Sequence, residues 1–301
     1  MDVSRFLEVK ETDNRLLYVG KSLINRFLCH DIAQTGGQLA YFFLLSVFPF
    51  MIFLNALIGS FNFSETEIVD TLSSFLPQEV IRVINTYIQY ISDSQHTGML
   101  PVGLIVTLFS ASRAVRSLNY AINKAYRVDR PRGFIGDFFL SVVLTFGIEL
   151  TIILSLLLLT IGKNMMAWLS ARFEFLLIPL AVLDNLRWVI VLADLFVVLA
   201  FMYYFVPNRK MRWRNVLPGT VFSVIGWIVL TLGFSFYINH FGRYSLIYGS
   251  LGAIIVLMLW LYLVGILLVL GGELNDIIEE LRAHYVPVRI EKKQAGKTDV
   301  S

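Results

Sequence analysis

The chain holds 301 residues, 56% of them hydrophobic and 16% charged, with 25 Lys and Arg against 22 Asp and Glu. A soluble domain would carry about 25% charge, so this composition excludes an ordinary water-soluble fold and points to an integral membrane protein. The formal net charge of +3 is small, and where the bases lie says more than their sum.

In chain order, the first 38 residues carry Arg5, Lys10, Arg15, Lys21 and Arg26 among several acids. They contain no apolar signal core, so the first true span is expected to serve as the insertion signal. Within them Leu16, Leu17, Leu23, Ile24, Phe27 and Leu28 form a stripe with Lys21 and Arg26 between. That pattern predicts an amphipathic helix along the cytoplasmic surface.

About 20 apolar residues are needed to cross a bilayer core. Six stretches qualify: Leu39 to Phe61, Leu100 to Tyr120, Phe134 to Ile161, Leu186 to Val206, Val216 to Ile238 and Leu246 to Gly271. The fold class expected is therefore all-α, a polytopic bundle of six transmembrane helices with interfacial amphipathic helices. Its parts are a cytoplasmic segment 1–38, a membrane domain 39–271 and a cytoplasmic tail 272–301. The external loop 62–99 reads as a cap, because Val80, Ile84, Tyr87, Ile88 and Ile91 recur at helical spacing. Gly271 and Gly272 suit a helix end, and the tail from Lys292 to Ser301 is polar enough to be disordered.

The second span carries Arg113 and Arg116 in its last third, and the distribution of bases argues that it is real. Of the 25 bases, five lie in the N-terminal segment, six between Arg113 and Arg132, four between Arg209 and Arg214, and five in the C-terminal tail. With six spans these 20 fall on one side, and by the positive-inside rule both termini are cytoplasmic.

Chemistry-bearing residues follow from this topology. Cys29 is the one cysteine and four histidines are scattered singly, so neither a disulfide nor a zinc site is spelled out. Phosphate-binding and nucleophile-elbow motifs are missing too, and no metal, cofactor or catalytic residue is expected. Ser112, Arg116, Asn119 and Asn123 recur at steps of four, three and four, placing a polar stripe on one helical face with Arg113 beside it. Two readings stand for Arg113 and Arg116: snorkelling to cytoplasmic headgroups, or holding an anionic headgroup beside Asn119 and Asn123. Glu149 and Asp194 fall near the middle of the third and fourth spans, at similar depth. Ionisable groups there mark either an ion-coupling site or helix anchors. Glu273, emerging at the cytoplasmic end of the sixth span, is placed to pair with Arg113 or Arg116.

The blocks "AYFFLLSVFPFMIF" at 40–53, "SASRAVRSLNYAINKAYRV" at 110–128, "LPGTVFSVIGW" at 217–227 and "YGSLGAIIVLMLWLYLVGILLVLGGELN" at 248–275 together resemble the YihY/BrkB family. The resemblance implies a six-span protein of the bacterial plasma membrane. Members have carried a ribonuclease label, which this sequence does not support, having neither a metal cluster nor a basic soluble domain for nucleic acid. The expected function is a transporter or lipid-handling permease for an anionic amphiphile, with membrane lipids as partners. The alternative is a non-catalytic envelope-assembly or partner-binding scaffold; monomer and homo-oligomer are both open.

Overall fold

The computed structural model describes residues 15–61, 80–82, 100–128, 135–147, 180–241 and 250–284, with Ser73, Asn85 and Gly133. All regular structure among these residues is helical. In chain order the helices are α1 (Arg15–Cys29), α2 (Ile32–Phe61), α3 (Leu100–Ala125), α4 (Ile135–Gly147), α5 (Leu180–Phe205), α6 (Trp213–Phe241) and α7 (Ser250–His284). Most of the loop at 62–99, most of the third predicted span and residues 285–301 of the C-terminal tail lie outside the described residues.

Two sharp chain reversals use left-handed residues. Asp31, with φ of 57°, turns α1 into α2. Arg127, with φ of 50°, ends α3, and there Val128 N–H donates to Asn123 O and Arg127 N–H to Lys124 O. That paired closure is a Schellman motif, and it fixes the direction in which the chain leaves α3.

α7 is the central element, packed against α1, α2, α3 and α6, while α2 also packs along α3 and α5 along α6. Glycines make these approaches possible. Gly265 of α7 faces Gly36 of α2 so closely that an added Cβ would lie 3.1 Å from the Gly36 carbonyl oxygen. At the α6 crossing, a Cβ on Gly219 would collide with the Gly271 carbonyl and the Asn275 amide. Helices in lipid gain nothing from hiding apolar surface from water, so small residues that let backbones meet carry much of the packing.

These contacts correct the expectation that Gly271 and Gly272 close the sixth helix. α7 runs on through them to His284. Gly271 lies against Tyr203 and Ser223, and Gly272 lies against Ile122 of α3 and the Tyr203 ring of α5. The glycine pair serves lateral packing with α3, α5 and α6, and the helix needs no break.

The outer surface is apolar. Along α6, Leu217, Val221, Ile225, Val229, Leu232 and Phe236 are all exposed. Among the described residues two helical stretches are long and apolar enough to cross a membrane, Trp213–Ile238 and Ile254–Arg282. Ile135–Gly147 and Val191–Phe205 are shorter apolar helices. Burying one Leu- or Phe-sized side chain contributes about 1.5–3 kcal/mol, so an outward apolar row of this length is stable only against a non-aqueous surrounding.

The glycine crossings make a direct prediction. Gly219→Ala should lower stability by about 1–3 kcal/mol or more through overpacking, seen as a lower melting temperature in detergent. Gly233→Ala, where a Cβ would meet nothing within 4 Å, should leave it unchanged or slightly raised.

Candidate functional site

The polar stripe of α3 is buried along much of its length. Ser112 is buried and turns its hydroxyl back to Phe109 O at 2.8 Å. Asn119 donates to the Asp137 carboxylate of α4 at 3.0 Å. Asn123 donates to the Asn119 side-chain oxygen, and its own oxygen accepts the Asn208 backbone N–H at 2.7 Å. The two asparagines therefore tie α3 to α4 and to the turn between α5 and α6. A buried amide must be satisfied on both its faces, and this chain of bonds satisfies most of that demand inside the protein.

The two arginines sit differently. Arg113 is exposed, its guanidinium 5.1 Å from the centre of the Phe109 ring. Arg116 is half-buried one turn further on. Ile105, Phe109, Arg113, Arg116 and Tyr120 follow each other at steps of four, four, three and four, so they share one face of α3. Ile105, Phe109 and Tyr120 are exposed on that face, while Ala114, Leu118, Ala121 and Ile122 are buried on the others. Asp194 lies half-buried on α5; Glu149 lies outside the described residues.

A second polar centre stands at the end of the bundle where α1, α3, the α5–α6 turn and α7 meet. Its core is Arg26 of α1, 7% exposed. One guanidinium nitrogen reaches Glu273 at 3.0 Å and Asp276 at 2.8 Å, and another reaches Glu280 at 2.7 Å. The acids fall at 273, 276 and 280 because steps of three and four return to one helical face. His30 Nδ1 lies 2.6 Å from the second Glu273 oxygen. Arg209 bonds Glu279 and lies 3.6 Å from Asp276, with its guanidinium over the Tyr126 ring at 4.2 Å. Arg127 reaches Glu280 at 3.1 Å.

Electrostatics follow from that packing. Burial disfavours the Arg26 charge, but hydrogen bonds to Asp276 and Glu273 and the attraction of Glu280 and Asp276 outweigh it, so its pKa is raised above the ordinary value. Arg26 therefore stays protonated at any physiological pH. Burial also pushes the Tyr126 phenol up, against the pull of Arg209. Nearby, Tyr203 donates to Leu268 O at 2.7 Å and shares a 2.8 Å bond with Ser223, and Gly219 N–H donates to Asn275 at 2.6 Å.

Glu273 thus takes Arg26 and His30 as partners, in place of the expected Arg113 or Arg116. The physical reason is placement: its carboxylate faces α1, and the α3 arginines lie further up their helix. Sequence reasoning also passed over Arg26, Asp276, Glu279, Glu280, Arg209 and Asp137. The signal for the acids was present in "ELNDIIEE" at 273–280, whose charges recur at helical spacing. Among the described residues no group of three or more His, Cys, Asp or Glu side chains is arranged to hold a metal ion.

Residues 23–297 match the family model described as Virulence factor BrkB. The chain belongs to that family. It is 35% identical, over 260 residues, to the putative ribonuclease-like protein YfkH of Bacillus subtilis, spanning 86% of this chain and 94% of that one. A UPF0761 membrane protein of Pseudoalteromonas atlantica is 26% identical over 86% of this chain and 85% of its own length. Another, from Nitrosospira multiformis, is 28% identical over 85% of this chain, and the match spans 60% of that longer relative. No solved structure matches the chain. This is a membrane protein of the BrkB family, and the Bacillus relative carries a ribonuclease-like name.

Breaking the ionic centre should be costly. Removing one partner from a buried ion pair destabilises by about 3–5 kcal/mol, because the remaining charges stay buried. Arg26→Ala is expected to lose that much stability in detergent unfolding. Arg26→Lys should restore only part of it, since an ammonium cannot span three carboxylates as the guanidinium fork does.

Proposed function

We propose that this BrkB-family protein is a multi-pass protein of the bacterial plasma membrane, with six spans and both termini in the cytoplasm. Its function in this reading is that of a transporter or lipid-handling permease for an anionic amphiphile. The supporting observation is the exposed face of α3. There the Arg113 cation lies against exposed Phe109, with Ile105 and Tyr120 in line above and below and half-buried Arg116 beside it. A cation flanked by apolar side chains matches a molecule with an anionic head and an apolar tail, and arginine's planar fork suits phosphate or carboxylate oxygens.

In the same reading Glu149 and Asp194 couple movement to an ion, since ionisable groups within spans commonly mark proton or cation paths. Catalysis has no part in it. The positive-inside pattern supports the topology, because the helix ends carrying Arg26, Arg127 and Arg209 meet in one ionic centre.

A second reading, the envelope-assembly or partner-binding scaffold, is favoured by one observation. Asn119 and Asn123 spend their amides on Asp137, on each other and on Asn208, which is structural use of what a ligand would also need. Under that reading the α3 arginines serve topology alone.

Native mass spectrometry of the protein released with its own lipids separates the two. Arg113→Ala and Arg116→Ala should each reduce retention of a specific anionic lipid about ten-fold, as loss of one charge-assisted hydrogen bond of about 1.5 kcal/mol implies. Unselective lipid in all three proteins would sink the permease reading. In proteoliposomes, Glu149→Gln and Asp194→Asn should abolish proton-driven movement of that lipid while leaving its retention intact.

A further inference from the structure

α1 is folded with its polarity reversed. In a soluble protein, a helix carrying Leu17, Ile24 and Leu28 on one face and Ser22 and Arg26 on the other would bury the leucine side. Here Ser22 and Arg26 are 8% and 7% exposed, while Leu17, Ile24 and Leu28 are 59%, 53% and 56% exposed. The geometry permits only one of the two faces inward. Steps of 100° per residue put Leu17, Ile24 and Leu28 together, and Ser22 and Arg26 on the opposite side. Since Arg26 is held by Glu273, Asp276 and Glu280 of α7, the apolar side has to face away from the bundle.

The level at which α1 lies is fixed by a shared partner. Asp276 is bonded by Arg26 of α1 and approached by Arg209 from the α5–α6 turn, so α1 crosses the bundle at the height of that turn. There Trp213 stacks on Tyr204 with ring centres 4.2 Å apart, and Phe201 and Phe205 are packed against the same pair. Exposed Trp and Tyr rings collect where hydrocarbon gives way to headgroups. The charge is of matching sign: Lys21 lies on the leucine side of α1, which carries no acid, and Lys210, Arg212 and Arg214 are exposed at the same end.

We propose that α1 is a membrane-surface helix, embedding Leu17, Ile24 and Leu28 in the headgroup–acyl boundary of the adjacent leaflet while its polar face is locked to α7. An apolar face sunk into that boundary and a basic complement toward anionic headgroups are the two terms that hold a helix in the interface plane. The lock sets the rotation of α1, so the lipid surface and the carboxylates of α7 grip opposite sides of one helix. Loosening either grip changes the environment of the other. This inference stands apart from the transported ligand and survives if the chain is a scaffold.

The test uses the full-length protein in nanodiscs of phosphatidylcholine and phosphatidylglycerol. In a Cys29→Ser background, Leu17→Cys, Ile24→Cys, Leu28→Cys and Asn25→Cys each take one nitroxide label. Collision with oxygen, which partitions into lipid, is compared with collision with a water-soluble nickel chelate. The oxygen-to-nickel ratio at 17, 24 and 28 should exceed that at Asn25, an exposed position on another side of the helix, several-fold. Equal ratios at all four positions would overturn the proposal by placing the leucine face in water. Labels at 17, 24 and 28 shielded from both reagents would also overturn it, showing that a protein surface or a second copy covers the face. The three test positions project outward, so the substitutions leave the Arg26 contacts in place, and an unchanged melting temperature in detergent checks this.

Discussion

One buried cation organises the end of the bundle where α1, α3, the α5–α6 turn and α7 meet. Arg26 would be intolerable in its place without partners, because an unpaired charge removed from water costs several kcal/mol. It is tolerated because α7 runs on as a helix through Gly271 and Gly272 and presents Glu273, Asp276 and Glu280 on one side. The same acids then recruit Arg127 at the end of α3 and Arg209 from the turn before α6. Chain segments nearly 250 residues apart are thereby fixed to each other, and the orientation of α1 follows from theirs.

Close packing supplies what the ion pairs cannot. Gly36 against Gly265 and Gly219 against Gly271 bring α2 and α6 onto α7 at backbone distance, and Gly272 admits the Ile122 side chain of α3. Where helices meet that closely, a short polar bond reaches from one backbone to the next helix. Tyr203 reaches the Leu268 carbonyl, and Asn275 reaches the Gly219 amide. Small residues and single polar contacts therefore act together at α7, each needing the other: the glycine allows the approach, and the polar bond holds its register.

Much of the helical layout was legible in the sequence, because length and apolar content are local properties. Residues 39–61, 100–120, 186–205 and 216–238 of the predicted spans lie within α2, α3, α5 and α6. What stayed hidden was pairing across long separations. The leucine stripe of α1 was readable as a surface-lying face, but Arg26 read as a surface charge, and only the fold reveals that it turns inward to α7. Glu273 was recognisable as a residue in need of a partner, yet spacing along the chain cannot say which of several arginines will meet it. The polar stripe of α3 was readable as a face; its division into tied asparagines and an outward arginine was not, since that depends on where Asp137 and Asn208 arrive.

That division bears on how the molecule can work. Asn119 and Asn123 lie toward the C-terminal end of α3, bonded to α4 and to the α5–α6 turn, whereas Arg113 lies more than a turn away with its guanidinium over the Phe109 ring. A buried, mutually satisfied network resists rearrangement because each lost bond leaves a polar group unpaired in a low-dielectric interior. An asparagine pair fixed in this way serves a scaffold as well as a permease, and the two readings part at Arg113, whose exposed guanidinium lies against an apolar ring.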